Sequence, residues 1–325
     1  MFDESNLRQE KITGIITKGV GGLYTVRPDL EGKPVTCPAK GAFRHENTVP
    51  TVGDRVTVTV SSESGQEGGC VISEIAERSN SLIRPAVSNL THLFVVIPSA
   101  RPKPDLLTVD KLVATADERG IEPVIVVNKS DLDAEGSLRI KAIYENAGFS
   151  CFLLSAKDGS GCEELLEYFK SESLHRTMIS AFAGASAAGK STLMRRLFPF
   201  LDLKMGEVSR KTQRGRHTTR HVELFSVFGD RNCLIADTPG FSMMDFANYN
   251  FFELSRLPFA FREFRDCLGE CRYTKCTHTK EEGCAVIEKV NAGSIAKERH
   301  DNYIAIYNEI KAKPEWKRRK ELSGG

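Results

Sequence analysis

Gly184-Ala185-Ser186-Ala187-Ala188-Gly189-Lys190-Ser191-Thr192 follows the apolar run Met178-Ile179-Ser180-Ala181-Phe182 and leads into Leu193-Met194-Arg195-Arg196-Leu197-Phe198. A strand, a loop ending in Gly-Lys-Ser and an amphipathic helix start form the context in which backbone N–H groups and a helix N-terminus wrap phosphates. In that reading Lys190 neutralises the β- and γ-phosphates and the Ser191 hydroxyl ligates Mg²⁺. The loop decides the fold as well as the ligand, because it belongs to a parallel sheet with helices on both faces.

The surrounding chain repeats that alternation. Leu93-Phe94-Val95-Val96-Ile97 reads as a buried strand, residues 106–119 as a helix, and Val124-Ile125-Val126-Val127 as a second strand ending at Asn128. Asn128-Lys129-Ser130-Asp131 then stands at the carboxyl end of a strand, where ligands dock in open α/β sheets. The Asp131 carboxylate can accept from both guanine N1–H and the 2-amino group, Lys129 can cover the base plane, and Ala156 in Ser155-Ala156-Lys157 can offer a backbone N–H to O6. Alone, such a quartet is an ordinary surface turn. Together with Ser-Ala-Lys, the phosphate loop and Asp237-Thr238-Pro239-Gly240, it points to GTP and GDP as ligands. Asp237 is expected to hold Mg²⁺ through water, and Gly240 to place its N–H at the γ-phosphate.

The order of these motifs is unusual. In most guanine-nucleotide switches the phosphate loop comes first, whereas here the base-reading motifs precede it, so the domain reads as circularly permuted. Permutation is tolerated where the original termini lie close together at the surface. Residues 210–220 fall between the phosphate loop and Asp237, where the first switch belongs; there Thr218 or Thr219 can ligate Mg²⁺, and His217 can orient or deprotonate the attacking water. Phe241 occupies the position where many GTPases carry a water-orienting glutamine. Arg210, Lys211, Arg214, Arg216 and Arg220 repel one another without an anionic partner, which favours RNA phosphates over a merely solvated loop.

Upstream, Gly14-Ile15-Ile16, Leu23-Tyr24-Thr25-Val26, Val56-Thr57-Val58-Thr59-Val60 and Cys70-Val71-Ile72 are short glycine-punctuated strands of an OB-type barrel, expected over residues 1–78. Lys40, Arg44 and His45 lie in one of its loops and are candidate RNA contacts. The polar stretch 78–81 reads as a linker. The GTPase domain is expected over 79–245 and a helical, metal-binding domain over 246–325. In the latter, Cys271-x4-Cys276-x-His278-x5-Cys284 supplies the three thiolates and one imidazole of a closed, structural zinc site, with Cys267 left aside as more distant. Lys317-Arg318-Arg319-Lys320 closes a helical pattern as a solvated tail or RNA clamp.

The 325 residues, 40% hydrophobic and 27% charged, suit two or three globular domains, and a net charge of +2 confines nucleic-acid binding to local patches. Apolar runs fall short of the ~18 residues of a membrane span. With a polar N-terminus and clustered rather than disulfide-patterned cysteines, the expectation is a cytoplasmic protein that engages no membrane.

The permuted order, Gly215-Arg216-His217-Thr218-Thr219, the linker ending Ile83-Arg84-Pro85, and the knuckle running on into Cys284-Ala285-Val286 together resemble the bacterial ribosome small subunit dependent GTPase A (YjeQ) family over nearly the whole chain. The resemblance implies a monomeric GTPase of late 30S maturation, with barrel and zinc domain holding 16S rRNA and the ribosome stimulating hydrolysis. It also implies that His217 matches the family's proposed catalytic histidine. Two departures stand out: Ala185-Ser186-Ala187-Ala188 replaces the frequent Gln-Ser-Gly-Val, and Arg220 replaces a common third threonine. Two rivals are a zinc RNA-binding module that holds nucleotide without ribosome-stimulated turnover, and a P-loop kinase or ATPase.

Overall fold

The computed structural model describes residues 9–45, 48–61, 69–83, 86–199, 222–229, 231–237 and 253–312. These fall into two compact units, one drawn from residues 1–90, 177–179 and 215–239, the other from 91–176, 180–214 and 240–325. Among the described residues no helix is long and apolar enough to cross a membrane.

In the first unit, β1 (Gln9–Val20), β2 (Leu23–Pro28), β3 (Val35–Pro38), the single turn α1 (Ala42–His45), β4 (Arg55–Ser61) and β5 (Cys70–Ile75) form a small barrel. β1 pairs with β2 on one side and β4 on the other, β2 pairs with β3, and β4 with β5. A parallel bridge between Ala39 and Ile72 joins the β3 end to β5, giving the circular order β1-β2-β3-β5-β4 of an OB barrel. One long first strand serves both sides because it is sharply bent: its pairing with β2 shifts register between Ile16 and Lys18, and Gly14 lets the Arg27 carbonyl approach to where a Cβ would lie 2.3 Å away. Ile15, Ile16, Val26, Val56, Val58 and Ile72 fill the interior.

The stretch read as a linker is bound down. Arg78 donates from Nε and Nη2 to the buried Asp54 carboxylate, each at 2.7 Å, and Ser88 Oγ donates to the same group at 2.6 Å. Ser88 belongs to a hairpin of β6 (Ser81–Ile83) and β7 (Ala86–Ser88).

The second unit alternates as expected: β8 (His92–Pro98), α2 (Leu106–Glu118), β9 (Glu122–Asn128), α3 (Ala134–Asn146), β10 (Ser150–Leu154), α4 (Cys162–His175), β11 (Met178–Gly184) and α5 (Lys190–Leu197). The strands run parallel in the order β10-β9-β8-β11. Their pairing sets Pro98 beside Asn128, Leu154 beside Asn128, and Gly184 beside Val96, so the carboxyl ends share one edge. Two β-strand additions go to one side of β8 and β11 goes to the other, which makes this edge a topological switch point. Phe94 stacks on Phe169 of α4 at 4.3 Å and on Phe182 at 5.1 Å, fixing helix to sheet. Asp105 and Asp133 cap α2 and α3 by accepting from the N–H groups of Thr108 and Gly136. Two further strands, β12 (Glu223–Ser226) and β13 (Cys233–Asp237), pair antiparallel and belong to the first unit, where Lys18 of β1 meets Glu223 at 2.7 Å.

The C-terminal helical pattern resolves into 3₁₀ turns at Leu257–Ala260 and Arg262–Cys267, then α6 (Ala285–Asn291) and α7 (Lys297–Ala312). The residues between hold the cysteine and histidine cluster in turns, since Gly269 and Gly283 take positive φ and ligand side chains have to converge.

Candidate functional site

Asn128 joins three of the four expected nucleotide motifs. At 1% exposure it donates from Nδ2 to the Ala188 carbonyl of the phosphate loop at 2.8 Å, while its Oδ1 accepts from the N–H groups of Lys129 at 2.8 Å and Ala156 at 3.0 Å. The Ala156 N–H assigned to guanine O6 is therefore already directed at a side chain that a bound base would have to share. Lys129 is left-handed, with φ 65°, a conformation held by Ser99, whose Oγ donates to the Lys129 carbonyl at 2.6 Å and whose N–H donates to the Asn128 carbonyl. Lys129 Nζ donates to the Ala187 carbonyl at 2.8 Å, laying its stem across the phosphate loop. Ser130 donates its N–H to Leu154, and Asp131 stays exposed at the rim.

The phosphate loop closes on itself. Lys190 Nζ donates to the Gly184 carbonyl at 3.0 Å, and burial lowers its pKa. Gly189 has φ 93°, and a Cβ there would lie 2.3 Å from Asn128 Nδ2, so this glycine is required by both backbone and neighbour. Ala185 is half-buried, Ser186 and Ala187 are exposed and Ala188 is buried, while Ser191 and Thr192 open α5 with exposed side chains. From α5, Arg196 reaches back to the carbonyls of Ala156 at 3.3 Å and Lys157, tying the Ser155-Ala156-Lys157 turn to the helix that starts at the phosphates.

Ala187 sits where the resembled family often carries glycine, and its φ is 62°. An alanine in this region costs about 1–2 kcal/mol. Ala187→Gly should relieve more strain than the added unfolded-state entropy removes, a net gain of up to about 1 kcal/mol. Equilibrium urea unfolding without nucleotide tests this: an unchanged or lower midpoint at constant slope refutes the strain.

Asp237 ends β13, but its side chain lies outside the described residues, as do Gly240, Phe241, His217, Thr218, Thr219 and the whole basic stretch 210–220. The side chains of Arg44 and His45, and residues 317–320, lie outside them too; Lys40 is exposed.

The second constellation is a cluster able to hold a metal ion. Cys271 Sγ and Cys284 Sγ are 3.9 Å apart, and His278 Nδ1 lies 3.5 and 3.4 Å from them. With Cys276, all four ligand atoms fall within 4.8 Å of one another. A tetrahedral ion with metal–sulfur bonds of about 2.3 Å gives ligand separations of roughly 3.5–3.8 Å, so three thiols and an imidazole are placed to hold one ion with no position open. Cys267 is buried in the adjacent apolar core and stands outside the group. The His278 carbonyl accepts from His300 Nε2 at 2.8 Å, which holds the backbone at that ligand, and burial lowers the His278 pKa. Burial pushes the Cys276 thiol up to about 12 when no cation is present, and a metal reverses that balance. Glu281 binds the turn together, accepting from the N–H groups of Thr277, Thr279 and Lys280; burial opposes its ionisation, but these donors and the Thr277 hydroxyl hold it down to about 2.

Sequence reasoning missed what anchors this cage to the nucleotide-binding sheet. Arg299 of α7, 1% exposed, donates to Asp110 of α2 at 2.7 Å and to both oxygens of Glu263 at 2.7 and 3.0 Å. Tyr144 OH and Asn302 Nδ2 complete the shell of Asp110 at 2.8 and 2.7 Å, and the guanidinium lies 4.7 Å over the Phe261 ring. Burial raises the Asp110 carboxyl, and these donors oppose that. Around the triad, Ala114, Phe261, Phe264, Val286, Tyr303 and Ile306 form one apolar core.

Residues 75–247 match the family described as RsgA GTPase, and residues 13–68 match the RsgA N-terminal domain. The chain is 35% identical to the small ribosomal subunit biogenesis GTPase RsgA of Ruminiclostridium cellulolyticum, over 95% of this chain and 97% of that one. It is 38% identical to the protein of the same name from Clostridium perfringens, over 91% and 97%. Among solved structures it is similar to YjeQ from Thermotoga maritima, with a TM-score of 0.77 and 30% identity over 94% of this chain and all of that one. It is likewise similar to YloQ, described as a circularly permuted GTPase, with a TM-score of 0.74 and 30% identity over 97% and all.

Proposed function

The chain belongs to the RsgA GTPase family, and from that premise we propose how its residues divide the work of a GTP hydrolase in small ribosomal subunit biogenesis. Asn128 carries the reading, because one buried side chain ties the base-reading quartet, the Ser-Ala-Lys turn and the phosphate loop into a single site. Asn128, Lys129 and Asp131 read guanine with Ala156. The loop from Gly184 to Thr192 cradles the phosphates, with Lys190 as counter-charge. Mg²⁺, when bound, neutralises phosphate charge, and Ser191, Asp237 and Thr218 or Thr219 are the residues to hold it. His217 positions and deprotonates water. Residues 1–78, 79–245 and 246–325 act as barrel, permuted GTPase and metal domain of a cytoplasmic monomer whose outer two parts hold 16S rRNA.

The passive RNA-binding rival is not favoured, since the relatives from Ruminiclostridium cellulolyticum and Clostridium perfringens are named GTPases. Phosphate release measured with no subunit, 30S or 50S tests the reading. Stimulation specific to 30S is expected, and turnover indifferent to the small subunit would return the case to the rival.

Base choice rests on Asp131, whose loss leaves two guanine donors unmatched at about 1–3 kcal/mol each. Asp131→Asn should weaken GTP binding about tenfold or more and gain affinity for xanthine nucleotide. Unchanged GTP affinity in a fluorescent-nucleotide titration removes Asp131 from base reading.

Zinc is the expected ion, as Cys₃His is its common structural set. Elemental analysis should find one zinc per chain, and chelation should open the 271–284 turns while the parallel sheet persists, because metal binding is coupled to local folding. Pure, unreconstituted protein without zinc would falsify this.

A further inference from the structure

The barrel is closed by very little backbone. Where β3 approaches β5, the parallel bridge between Ala39 and Ile72 is supported by the Lys40 N–H donating to the Ile72 carbonyl at 3.1 Å. Two residues back along each strand from that bridge stand Cys37 and Cys70, opposite one another. With a side-chain period of two, both lie on the face of Ile72, which is fully buried. Cys37 is buried and Cys70 half-buried, and the Cys70 thiol reaches the Thr36 carbonyl at 3.5 Å, next to Cys37. Burial, together with the neighbouring Cys70, pushes the Cys37 thiol up to about 11. Strands are about 4.7–4.9 Å apart where they pair, as at the Ala39–Ile72 bridge, and two residues along from it the roughly 4.4–6.8 Å Cα separation of a disulfide is within reach. Outside the metal cage, Cys70 is the one cysteine that is not fully buried.

We propose that Cys37 and Cys70 form a reversible dithiol at the barrel seam, oxidised to a disulfide by hydrogen peroxide through attack at Cys70. The Cys70 thiolate attacks one peroxide oxygen, the O–O bond breaks, and the departing hydroxide leaves as water after taking a proton. The resulting Cys70 sulfenic acid is then attacked by the Cys37 sulfur, the S–O bond breaks, an S–S bond forms, and a second water carries off the Cys37 proton. Two thiols lose two electrons, and one peroxide becomes two waters. The half-exposed thiol meets the oxidant and the buried one resolves it. The product staples β3 to β5 at the point where the barrel has a single backbone bridge, and at the root of the 62–69 connection between β4 and β5. A dithiol reductant reverses the step.

The test uses the 325-residue, metal-loaded chain, titrated with hydrogen peroxide, quenched, unfolded in guanidinium chloride, alkylated with iodoacetamide, digested without reduction and mapped by mass spectrometry. The expected product is a Cys37–Cys70 linked peptide, two hydrogens lighter than the sum of its parts, lost on adding dithiothreitol. In Cys37→Ser, Cys70 should stop at the sulfenic acid and be captured by dimedone; in Cys70→Ser, the change at the half-exposed position, Cys37 should remain alkylatable throughout. Mapping separates these products from any oxidation of Cys271, Cys276 or Cys284. Separate alkylation of Cys37 and Cys70 at peroxide doses that oxidise the cage thiols overturns the proposal, as does linkage of Cys70 to any other cysteine.

Discussion

Arg299→Ala is expected to cost about 3–5 kcal/mol of stability, because it leaves Asp110 and Glu263 as uncompensated charges in an apolar core. The loss is larger than that of the hydrogen bonds alone, since each carboxylate must then protonate or admit water. Arg299→Met keeps the packing over Phe261 but should recover little, as it supplies no counter-charge. Asp110→Asn and Glu263→Gln added to Arg299→Met should recover most of it, which separates charge from volume. The same triad links α7 to α2, the helix that follows β8 of the nucleotide-binding sheet. Urea unfolding of metal-loaded protein, followed at once by zinc release to a chromogenic chelator and by loss of bound nucleotide, checks both points. The two signals should coincide in the parent and separate in Arg299→Ala, with zinc leaving first. A loss under about 1 kcal/mol with coincident signals would show that the apolar core alone carries the docking.

Much of the candidate nucleotide site could be proposed from the chain because phosphate binding demands a chemistry few sequences supply. Gly189 has to be glycine beside Asn128, and Lys190 has to follow it into the helix. The cage was legible for a similar reason, four soft ligands within fourteen residues being hard to explain otherwise. The OB order of the barrel was only half legible. Alternation marked four strands, but the short β3 and its single bridge to β5 depend on contacts distant in sequence. The Arg299 triad was not legible at all. Asp110, Glu263 and Arg299 are far apart in sequence, each with a basic or acidic residue directly beside it, and only tertiary packing brings them together and buries them. The left-handed Lys129 and Ala187 were hidden too, because local propensity argues against the conformation that Ser99 and the loop impose.

His217→Ala is expected to lower 30S-stimulated turnover by about 10²–10⁴-fold while nearly keeping nucleotide affinity. In hydrolysis a water oxygen bonds to the γ-phosphorus, the bond from that phosphorus to the bridging oxygen breaks, and GDP and phosphate leave. The water must be aimed in line and must shed a proton. The residue after Gly240 is Phe241, which has no group to bind that water, so the proposed assignment gives the task to His217, a side chain able both to accept a proton and to return it. Lys190→Ala provides the contrast, because Lys190 sits within the phosphate loop itself and its loss should weaken binding along with turnover. The decisive measurement is single-turnover cleavage at saturating GTP and saturating 30S, with nucleotide affinity titrated separately. If the His217→Ala rate reaches the parent's only at 30S concentrations well above those that saturate the parent, the histidine serves docking rather than chemistry. If the rate equals the parent's from the outset, His217 has no part in the mechanism.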